Sequence, residues 1–362
     1  MKKESELLLI VTVILACTGI VMVYSASSCY AYDKFNDSAY FFKRHIAHFI
    51  IGLLCAAFVT RIDYRKFKNY SRILLGAAIL SLIAALIPGI GHEAGGAKRW
   101  IKLGFIGFQP SEVTSLFLII YLADILERKQ ECIRDFFHGF MPPLAVSGFL
   151  VLLIIIQPDL GSAVAIMAVS AIMMFASGAN MVYMIPFALF SVPIFYFLIF
   201  RVAYRLRRIA GFLDPWNDSQ GAGFQIVQSF LALGSGGILG LGLGCSRQKL
   251  FYLPQAHTDF IFSIIGEEIG LIGTVSIVVL FVLFVWQGLK ISMNAPDLFG
   301  KLLALGITVS IGLRAVINMA VSTGAIPTKG LPLPFVSYGG SALILNIIGV
   351  GILLNIAHAK GR

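Results

Sequence analysis

The fold is decided by residues 7–27, LLLIVTVILACTGIVMVYSAS, an uncharged apolar run that follows Met1-Lys2-Lys3. About 20 apolar residues are enough for a helix to cross the hydrocarbon core of a bilayer. The run is too long for the apolar core of a signal peptide, and similar runs follow it. We therefore predict an uncleaved first span whose N-terminus lies in the cytoplasm.

The composition extends this pattern to the whole chain. Hydrophobic residues make up 58% of the 362 residues and charged residues 13%, and the mean hydropathy is +0.88. A soluble domain could not bury so much apolar surface, so we predict an all-α polytopic membrane protein with a single domain over residues 1–362. The predicted spans number about ten and cover residues 7–27, 44–60, 73–89, 111–127, 141–157, 161–177, 181–200, 259–288, 301–322 and 341–358.

Basic loops set the orientation of these spans. The run from Arg61 to Arg72 follows the second span, and Arg128 and Lys129 follow the fourth, so both belong in the cytoplasm. An even number of spans then places both termini in the cytoplasm. The external segments are 28–43, 90–110, 323–340 and a large extracytoplasmic loop, 201–258, between spans seven and eight.

The distribution of charge is unusual for a membrane protein. The net charge is +10, and lysine and arginine are about as frequent in the external segments as in the cytoplasmic ones. External cations favour an anionic, membrane-attached substrate at the outer face. Because the positive charges are divided among many short loops, we expect no nucleic acid partner.

Three carboxylates fall at outer ends of the predicted spans, where one pocket could hold them. Glu112 opens span four, Asp159 closes span five, and Asp259 opens span eight. Helix capping and the helix dipole could explain Glu112 and Asp259. They do not explain an anion at a helix C-terminus, where we expect Asp159. Acids at membrane depth are costly and tend to be functional, so we predict a site.

Basic and aromatic residues accompany these acids in the external segments. They could hold a pyrophosphate, although arginines on one helical face could equally reach lipid headgroups, and a tryptophan could be an interfacial anchor. The candidates for substrate binding are Lys98, Arg99, Trp100, Lys102, Arg205, Arg208, Arg247 and Lys249.

Two further titratable residues are candidates. Arg314 lies within span nine and requires an anionic partner, for which Glu267 and Glu268 are available. His257 stands beside Asp259 and could titrate near neutrality, although it could also be structural. Between them in sequence, the glycine-rich stretch 234–244 lacks the Gly-Lys-Ser/Thr of a P-loop. We expect that stretch to be either flexible or a closely packed re-entrant segment.

At these residues the chain resembles the SEDS family, which includes FtsW, RodA and SpoVE. The resemblance spans nearly the whole chain, and the form Pro254-Gln255-Ala256-His257 is closer to FtsW and SpoVE than to RodA. It is carried by Gly96-Ala97-Lys98-Arg99-Trp100-Ile101, Gln109-Pro110-Ser111-Glu112, Gln157-Pro158-Asp159-Leu160-Gly161, Phe212-Leu213-Asp214-Pro215-Trp216, Ala232-Leu233-Gly234-Ser235-Gly236-Gly237, His257-Thr258-Asp259 and Leu333-Pro334-Phe335-Val336-Ser337-Tyr338-Gly339-Gly340-Ser341.

The resemblance implies a ten-helix peptidoglycan glycosyltransferase that polymerises lipid II at the outer face of the bacterial cytoplasmic membrane. It implies that Asp259 is catalytic and that Glu112, Asp159 and Trp100 are functionally important. It further implies a class B penicillin-binding transpeptidase and other division proteins as partners, with a location at the septum. No cofactor is assigned, although a divalent cation, Mg or Mn, could bridge acid and pyrophosphate.

One position departs from the family pattern. Members commonly carry a lysine three residues after the glutamate of the Gln-Pro-Ser-Glu motif, whereas this chain has Ser115. If that lysine binds phosphate, another cation must replace it here. A non-catalytic scaffold of the division complex therefore stays open as an alternative to a polymerase. A transporter that flips lipid II is a second alternative, for which Arg314, Glu267, Glu268 and Asp124 could supply a polar path.

Overall fold

A computed structural model describes residues 2–94, 97–103, 106–200 and 203–359 of the chain. It is built almost entirely from helices, with one small sheet. The helices are α1 (Lys2–Phe35), α2 (Tyr40–Val59), α3 (Lys66–Leu86), α4 (Pro110–Arg128), α5 (Met141–Ile156), α6 (Leu160–Ala176), α7 (Met181–Phe200), α8 (Ala203–Leu213), α9 (Phe224–Gly236), α10 (Ile261–Met293), α11 (Leu298–Ser322) and α12 (Gly340–Ala359), and the strands are β1 (Gly91–Ala94), β2 (Ala97–Leu103) and β3 (Ile106–Phe108).

The all-α polytopic fold predicted from the sequence is confirmed. Each of the ten predicted spans coincides with a helix, while α8 and α9 lie within the predicted large loop. Seven of the described helices are long and apolar enough to cross a membrane, and α6 is apolar but shorter. The number of ten membrane crossings stays a prediction. The largest difference in length is at α1, which continues eight residues past the predicted end of its span to Phe35.

Helices α10, α11 and α12 form the middle of the bundle, with α1, α2 and α4 packed against them. Leu303, Ala304 and Ile307 of α11 are almost fully buried there. Small residues allow close approach: a Cβ at Gly351 of α12 would lie 3.1 Å from the Cα of Ala56 in α2. The bundle is therefore a tightly packed scaffold for groups at its ends.

The predicted loop 90–110 contains a three-stranded antiparallel sheet in the order β1-β2-β3. Trp100 of β2 lies opposite His92 of β1, and Ile101 lies opposite Phe108 of β3. Strands of three to seven residues give too little periodicity to be recognised in the sequence. The sheet ends two residues before Pro110, so it holds Arg99 and Trp100 next to the N-terminus of α4.

The second unpredicted feature is a break within α10. Gly270 has φ +76° and ψ −164°, a conformation that only glycine adopts readily. The glycine-rich segment after α9 fits into this break, with backbone bonds from Leu241 N to Glu267 O (2.9 Å) and from Leu271 N to Gly237 O (2.9 Å). Of the two alternatives for this segment, the described structure has the closely packed one.

Candidate active site

Asp259 lies in a tight turn immediately before α10. The carbonyl of Gln255 accepts hydrogen bonds from the backbone N–H groups of Thr258 and Asp259, both at 3.1 Å. From α11, the side-chain amide of Asn318 donates to the carbonyl of Asp259 at 2.9 Å and to that of Leu331 at 2.8 Å. Asn318 therefore ties the turn to the loop that follows α11, and this fixes the backbone from which the carboxylate projects.

The surroundings of the Asp259 carboxylate favour its protonated form. Burial raises its pKa to about 7, although the charges of Arg208 and Arg99 lower it. Among the described residues, no hydrogen bond or ion pair to this carboxylate is found. A Cβ at Gly330 would lie 3.0 Å from its Oδ2 atom, so the loop backbone passes close by. A carboxylate with these properties can take up a proton near neutral pH.

Two of the predicted cations stand beside Asp259. Arg99 donates from Nε to the carbonyl of Gln157 at 3.1 Å and also to that of Pro158. Arg208 of α8 donates to the carbonyl of Thr328 at 3.1 Å. Both guanidinium groups donate to backbone carbonyls, and the charge of each acts on the Asp259 carboxylate. The side chains of Lys98 and Lys102 lie outside the described residues.

The prediction that Asp159 closes a helix is wrong. Helix α5 ends at Ile156, and Asp159 is the N-cap of α6, where its carboxylate accepts the backbone N–H of Ser162 at 3.2 Å and the Ser162 hydroxyl at 2.7 Å. The side chains of Gln109 and Ser111 also donate to it, each at 3.3 Å. Capping and the helix dipole thus account for this acid as well.

The expected partner of Arg314 is also corrected. Arg314 does not pair with Glu267 or Glu268 but donates to the carboxylate of Glu112, and both side chains are at least 96% buried. The pair lines a cavity of about 20 Å³ together with Ser115 and other residues of α4, α11 and α12. This ion pair therefore lies inside the bundle, between α4 and α11.

The remaining predicted cations lie in different surroundings. Lys249 is 7% exposed, and its ammonium bonds to Glu268 at 2.7 Å. The side chain of Arg247 is exposed. The backbone N–H of Arg247 donates to the carboxylate of Glu267 at 2.8 Å. Arg205 is half-buried on α8, one turn before Arg208. Unlike Arg208, these three residues are not among the cations whose charge acts on Asp259.

Aromatic rings surround His257. Its ring lies 4.6 Å from that of Phe41 and 5.7 Å from that of Tyr30, between centroids. Burial lowers the pKa of His257 to about 4, so the imidazole is neutral at pH 7, and of the two alternatives for this residue the structural one is favoured. The ring of Trp100 packs over Gly107 of the sheet, where a Cβ added at Gly107 would lie 3.5 Å from the ring.

The loop after α11 supplies residues that the sequence analysis missed. Lys329 is half-buried, and burial lowers its pKa. It precedes Gly330, whose backbone approaches Asp259. A signal was present, because Lys329 is the one basic residue in the external segment 323–340. The position of that loop against Asp259 depends on Asn318 and could not be inferred from spacing.

The described residues do not form a metal site by themselves. Within the described ranges, no group of three or more His, Cys, Asp or Glu side chains is arranged to hold a metal ion. Asp259 offers one carboxylate, and its charged neighbours are arginines, which do not ligate metals. This donor set does not fit a resident divalent cation, and the chemistry below uses the side chains alone.

The sequence of residues 5–362 matches the FtsW/RodA/SpoVE family of cell cycle proteins. The chain belongs to this family. It is 47% identical over 350 residues to the probable peptidoglycan glycosyltransferase FtsW of Geobacter sulfurreducens, covering 97% of this chain and 94% of that protein. It is 42% identical over 359 residues to stage V sporulation protein E of Bacillus subtilis, covering 99% and 98%.

Solved structures of similar shape agree with this membership. A chain of a peptidoglycan synthase complex that coordinates polymerization and crosslinking is 28% identical and has a TM-score of 0.81, with 98% of both chains covered. The rod shape determining protein RodA of Thermus thermophilus is 26% identical and has a TM-score of 0.71, covering 98% of this chain and 97% of that one.

Proposed function

We propose that this protein is a peptidoglycan glycosyltransferase that polymerises lipid II at the outer face of the cytoplasmic membrane. Its family and its relatives named as glycosyltransferases support this activity. The observation that carries the assignment to a site is Asp259, a carboxylate with a pKa near 7 beside Arg99 and Arg208. Transfer of a sugar from its pyrophosphate requires a proton acceptor for the attacking hydroxyl and cations for the leaving pyrophosphate. Asp259 and the two arginines supply these groups.

In the proposed reaction, Asp259 is the general base. The donor sugar carries a polyprenyl pyrophosphate at its anomeric carbon, and the acceptor is the 4-hydroxyl of a GlcNAc residue. Asp259 takes the hydroxyl proton as the oxygen bonds to the anomeric carbon, and the bond from that carbon to the pyrophosphate breaks. Arg99 and Arg208 stabilise the charge that develops on the leaving pyrophosphate.

The elevated pKa of Asp259 suits this role. A carboxylate with the usual pKa near 4 is too weak a base to accept a proton from a hydroxyl effectively. At a pKa of about 7, half of the groups are ionised at neutral pH, and each is a stronger base. The pyrophosphate is a stable anion, so its departure needs little protonation and no second acid is required.

The contacts of the buried charged residues argue against a transporter. A flippase needs a polar path through the membrane, for which the sequence offers Arg314, Glu267, Glu268 and Asp124. In the described structure Arg314 is bonded to Glu112, Glu268 to Lys249 and Asp124 to Arg128. These pairs neutralise charge within the packed bundle, whereas a path for a charged headgroup would need charges that are available to it.

We further propose that the protein works with a class B penicillin-binding transpeptidase, as part of the division or sporulation machinery at the septum. The similarity to a chain of a synthase complex that joins polymerization to crosslinking supports such a partner. Relatives named for division and for sporulation are both close in sequence, and they support the two processes equally.

Two assays on the same purified protein separate the three functions. Purified protein is incubated with fluorescent lipid II, and the products are resolved on a gel. A polymerase gives a ladder of glycan strands. A flippase gives no ladder but moves labelled lipid II between the leaflets of a proteoliposome, and a scaffold does neither. Absence of a ladder from well-folded wild-type protein, with its transpeptidase partner supplied, would reject the proposed function.

A further inference from the structure

Two adjacent glutamates in the first half of α10 bind the segment that leads towards Asp259. The carboxylate of Glu267 is 1% exposed and accepts bonds from the hydroxyl of Ser246 and from the backbone N–H of Arg247, at 2.8 Å. A longer contact from the N–H of Gln248 measures 3.4 Å. A buried carboxylate that accepts several donors is stabilised in its place, and it holds those donors in turn.

The second glutamate adds an ion pair to the same region. Glu268 is also 1% exposed, and its carboxylate accepts bonds from the ammonium of Lys249 and from the hydroxyl of Ser25 in α1, both at 2.7 Å. The ammonium is also 3.1 Å from that hydroxyl. Lys249 therefore directs its charge into the bundle, between α1 and α10, rather than towards an external ligand.

Because α10 is broken at Gly270, the same two glutamates also bind the preceding segment through their backbone carbonyls. In a continuous helix the carbonyls of Glu267 and Glu268 would accept bonds from residues four positions later. Instead they accept bonds from Leu241 N at 2.9 Å and Gly242 N at 3.0 Å. No side chain fits at the crossing, because a Cβ at Gly240 would lie 2.2 Å from the carbonyl oxygen of Glu268.

Asp259 lies on the stretch of chain that these contacts close. The contacts join Ser246, Arg247 and Gln248 to Glu267, and Lys249 to Glu268, and we call these contacts the neck. Residues 250–266, which include the first six residues of α10, form the loop between its two sides. Within the loop, Leu253 N bonds to Gln248 O at 2.8 Å and Asp259 N bonds to Gln255 O at 3.1 Å. Neck residues therefore lie both before and after Asp259 in the sequence, and their contacts restrict where Asp259 can lie.

We infer that Glu267 and the Lys249–Glu268 pair are positioning residues, which place the Asp259 carboxylate by closing the neck. The inference rests on the proposed function for its kinetic consequences. It assigns to Lys249 a role different from the phosphate binding that the sequence predicted. A shift of about 1 Å in a catalytic group can lower a rate by about 100-fold, so closure of the neck controls turnover more than substrate binding.

The Lys249–Glu268 pair gives the sharpest test, since both charges can be removed together. Lys249→Met and Glu268→Gln each leave a buried charge without its partner, and we expect each to lower kcat by at least about tenfold while KM changes by less than about threefold. The double variant leaves no unpaired charge, so we expect its kcat to recover to within about threefold of wild type.

The opposite result would come from a lysine that contacts the substrate. In that case the double variant keeps the defect of Lys249→Met, with a raised KM for lipid II, and the inference is wrong. Lys34→Met is a matched control, because it makes the same substitution at an exposed lysine at the end of α1, outside the neck. We expect this change to leave kcat within about twofold of wild type.

Glu267 is tested by graded substitution. Glu267→Gln keeps an oxygen that can accept the N–H of Arg247, whereas Glu267→Leu accepts nothing. We expect kcat to fall in the order wild type, Gln, Leu, with KM changed little and with a shifted pH midpoint in the Leu variant. If Glu267→Leu does not fold, the kcat of Glu267→Gln relative to wild type tests the inference by itself. A folded variant series with wild-type kcat and pH midpoint would overturn the inference.

Hydrogen exchange supplies a readout that does not depend on activity. Opening of the neck should increase exchange at amides in residues 249–260 of Glu267→Gln and Glu268→Gln relative to wild type, with α12 unchanged as an internal control. Unchanged exchange in the loop would reject the neck even if the polymerisation assay fails. Wild-type protein that makes no glycan would reject the proposed function and leave the exchange result to decide this inference.

Discussion

Glu112 and Asp259 each stand at the beginning of a helix, and they are held in opposite ways. Glu112, in the first turn of α4, is buried in an ion pair with Arg314. Asp259, just before α10, has two arginines close enough to affect its pKa, but within the described chain no bond to its carboxylate is found. The first acid is held by its ion pair, whereas the second has a pKa of about 7 and can exchange a proton near neutral pH. The difference teaches that a partner makes an acid structural, and that burial without a partner makes it reactive.

Removal of the reactive acid should have the largest effect. Asp259→Asn keeps the size of the side chain but cannot take up a proton, so we expect polymerisation to fall by about 100-fold or more. Gel analysis of labelled lipid II measures the yield, and size-exclusion chromatography in detergent checks the fold. Near wild-type polymer from this variant would show that Asp259, like Glu112, is structural.

The paired acid can be disturbed through Ser115, which lines the same cavity. Ser115→Lys places an ammonium one turn from Glu112, in the space next to Arg314. Two buried cations for one carboxylate should lower the free energy of unfolding by about 3 kcal/mol, with a corresponding loss of activity. Thermal unfolding in detergent measures the change.

A second substitution sharpens this test. In Ser115→Lys with Arg314→Gln, the new ammonium becomes the only cation for Glu112, and we expect most of the stability to return. This would show that Arg314 and a lysine at position 115 can serve as partner of the same carboxylate. A single Ser115→Lys variant as stable and active as wild type would mean that position 115 does not approach Arg314.

The dependence of rate on pH should distinguish the two acids next. With a pKa of about 7, Asp259 loses its base form as pH falls, so we expect kcat/KM to decrease about tenfold per pH unit below 7. The effect on stability has the opposite sign. The folded protein holds this proton more tightly than the unfolded chain, so this contribution to stability decreases as pH rises from about 4 to about 7. A flat rate between pH 5.5 and about 8 would contradict the raised pKa.

The smallest effect should follow from changing a neighbour of Asp259. Arg99→Ala removes a cation that lowers the pKa of Asp259 and that we propose binds pyrophosphate. We expect kcat/KM to fall about tenfold and the pH midpoint to move upwards. Lys34→Ala is the control, since Lys34 is an exposed cation at the end of α1. Equal effects of the two substitutions would mean that the external cations act only through general charge.

The sequence by itself determined the helical membrane fold and the residues around which the site is built. Apolar runs such as 7–27 and 341–358 predict helices because hydropathy and length are local properties of the chain. Asp259 and the basic residues of 97–102 were identified from motifs and charge. The sheet at 91–108 was missed because its strands are very short. Asp159 was misplaced because only three residues separate α5 from α6, so an acid in that gap can be assigned to the end of one helix or to the start of the next.

Only the tertiary structure decided which charges neutralise one another. Arg314 could have paired with Glu267, Glu268 or Glu112, and the choice of Glu112, 202 residues away, depends on how α4 and α11 pack. The burial of Lys249 against Glu268 depends in the same way on the break at Gly270 and on Ser25 of α1. Hydropathy and capping act within a few residues. The pairing and burial of ionised groups depend on distances set by the whole bundle, and those distances raise the pKa of Asp259 to about 7.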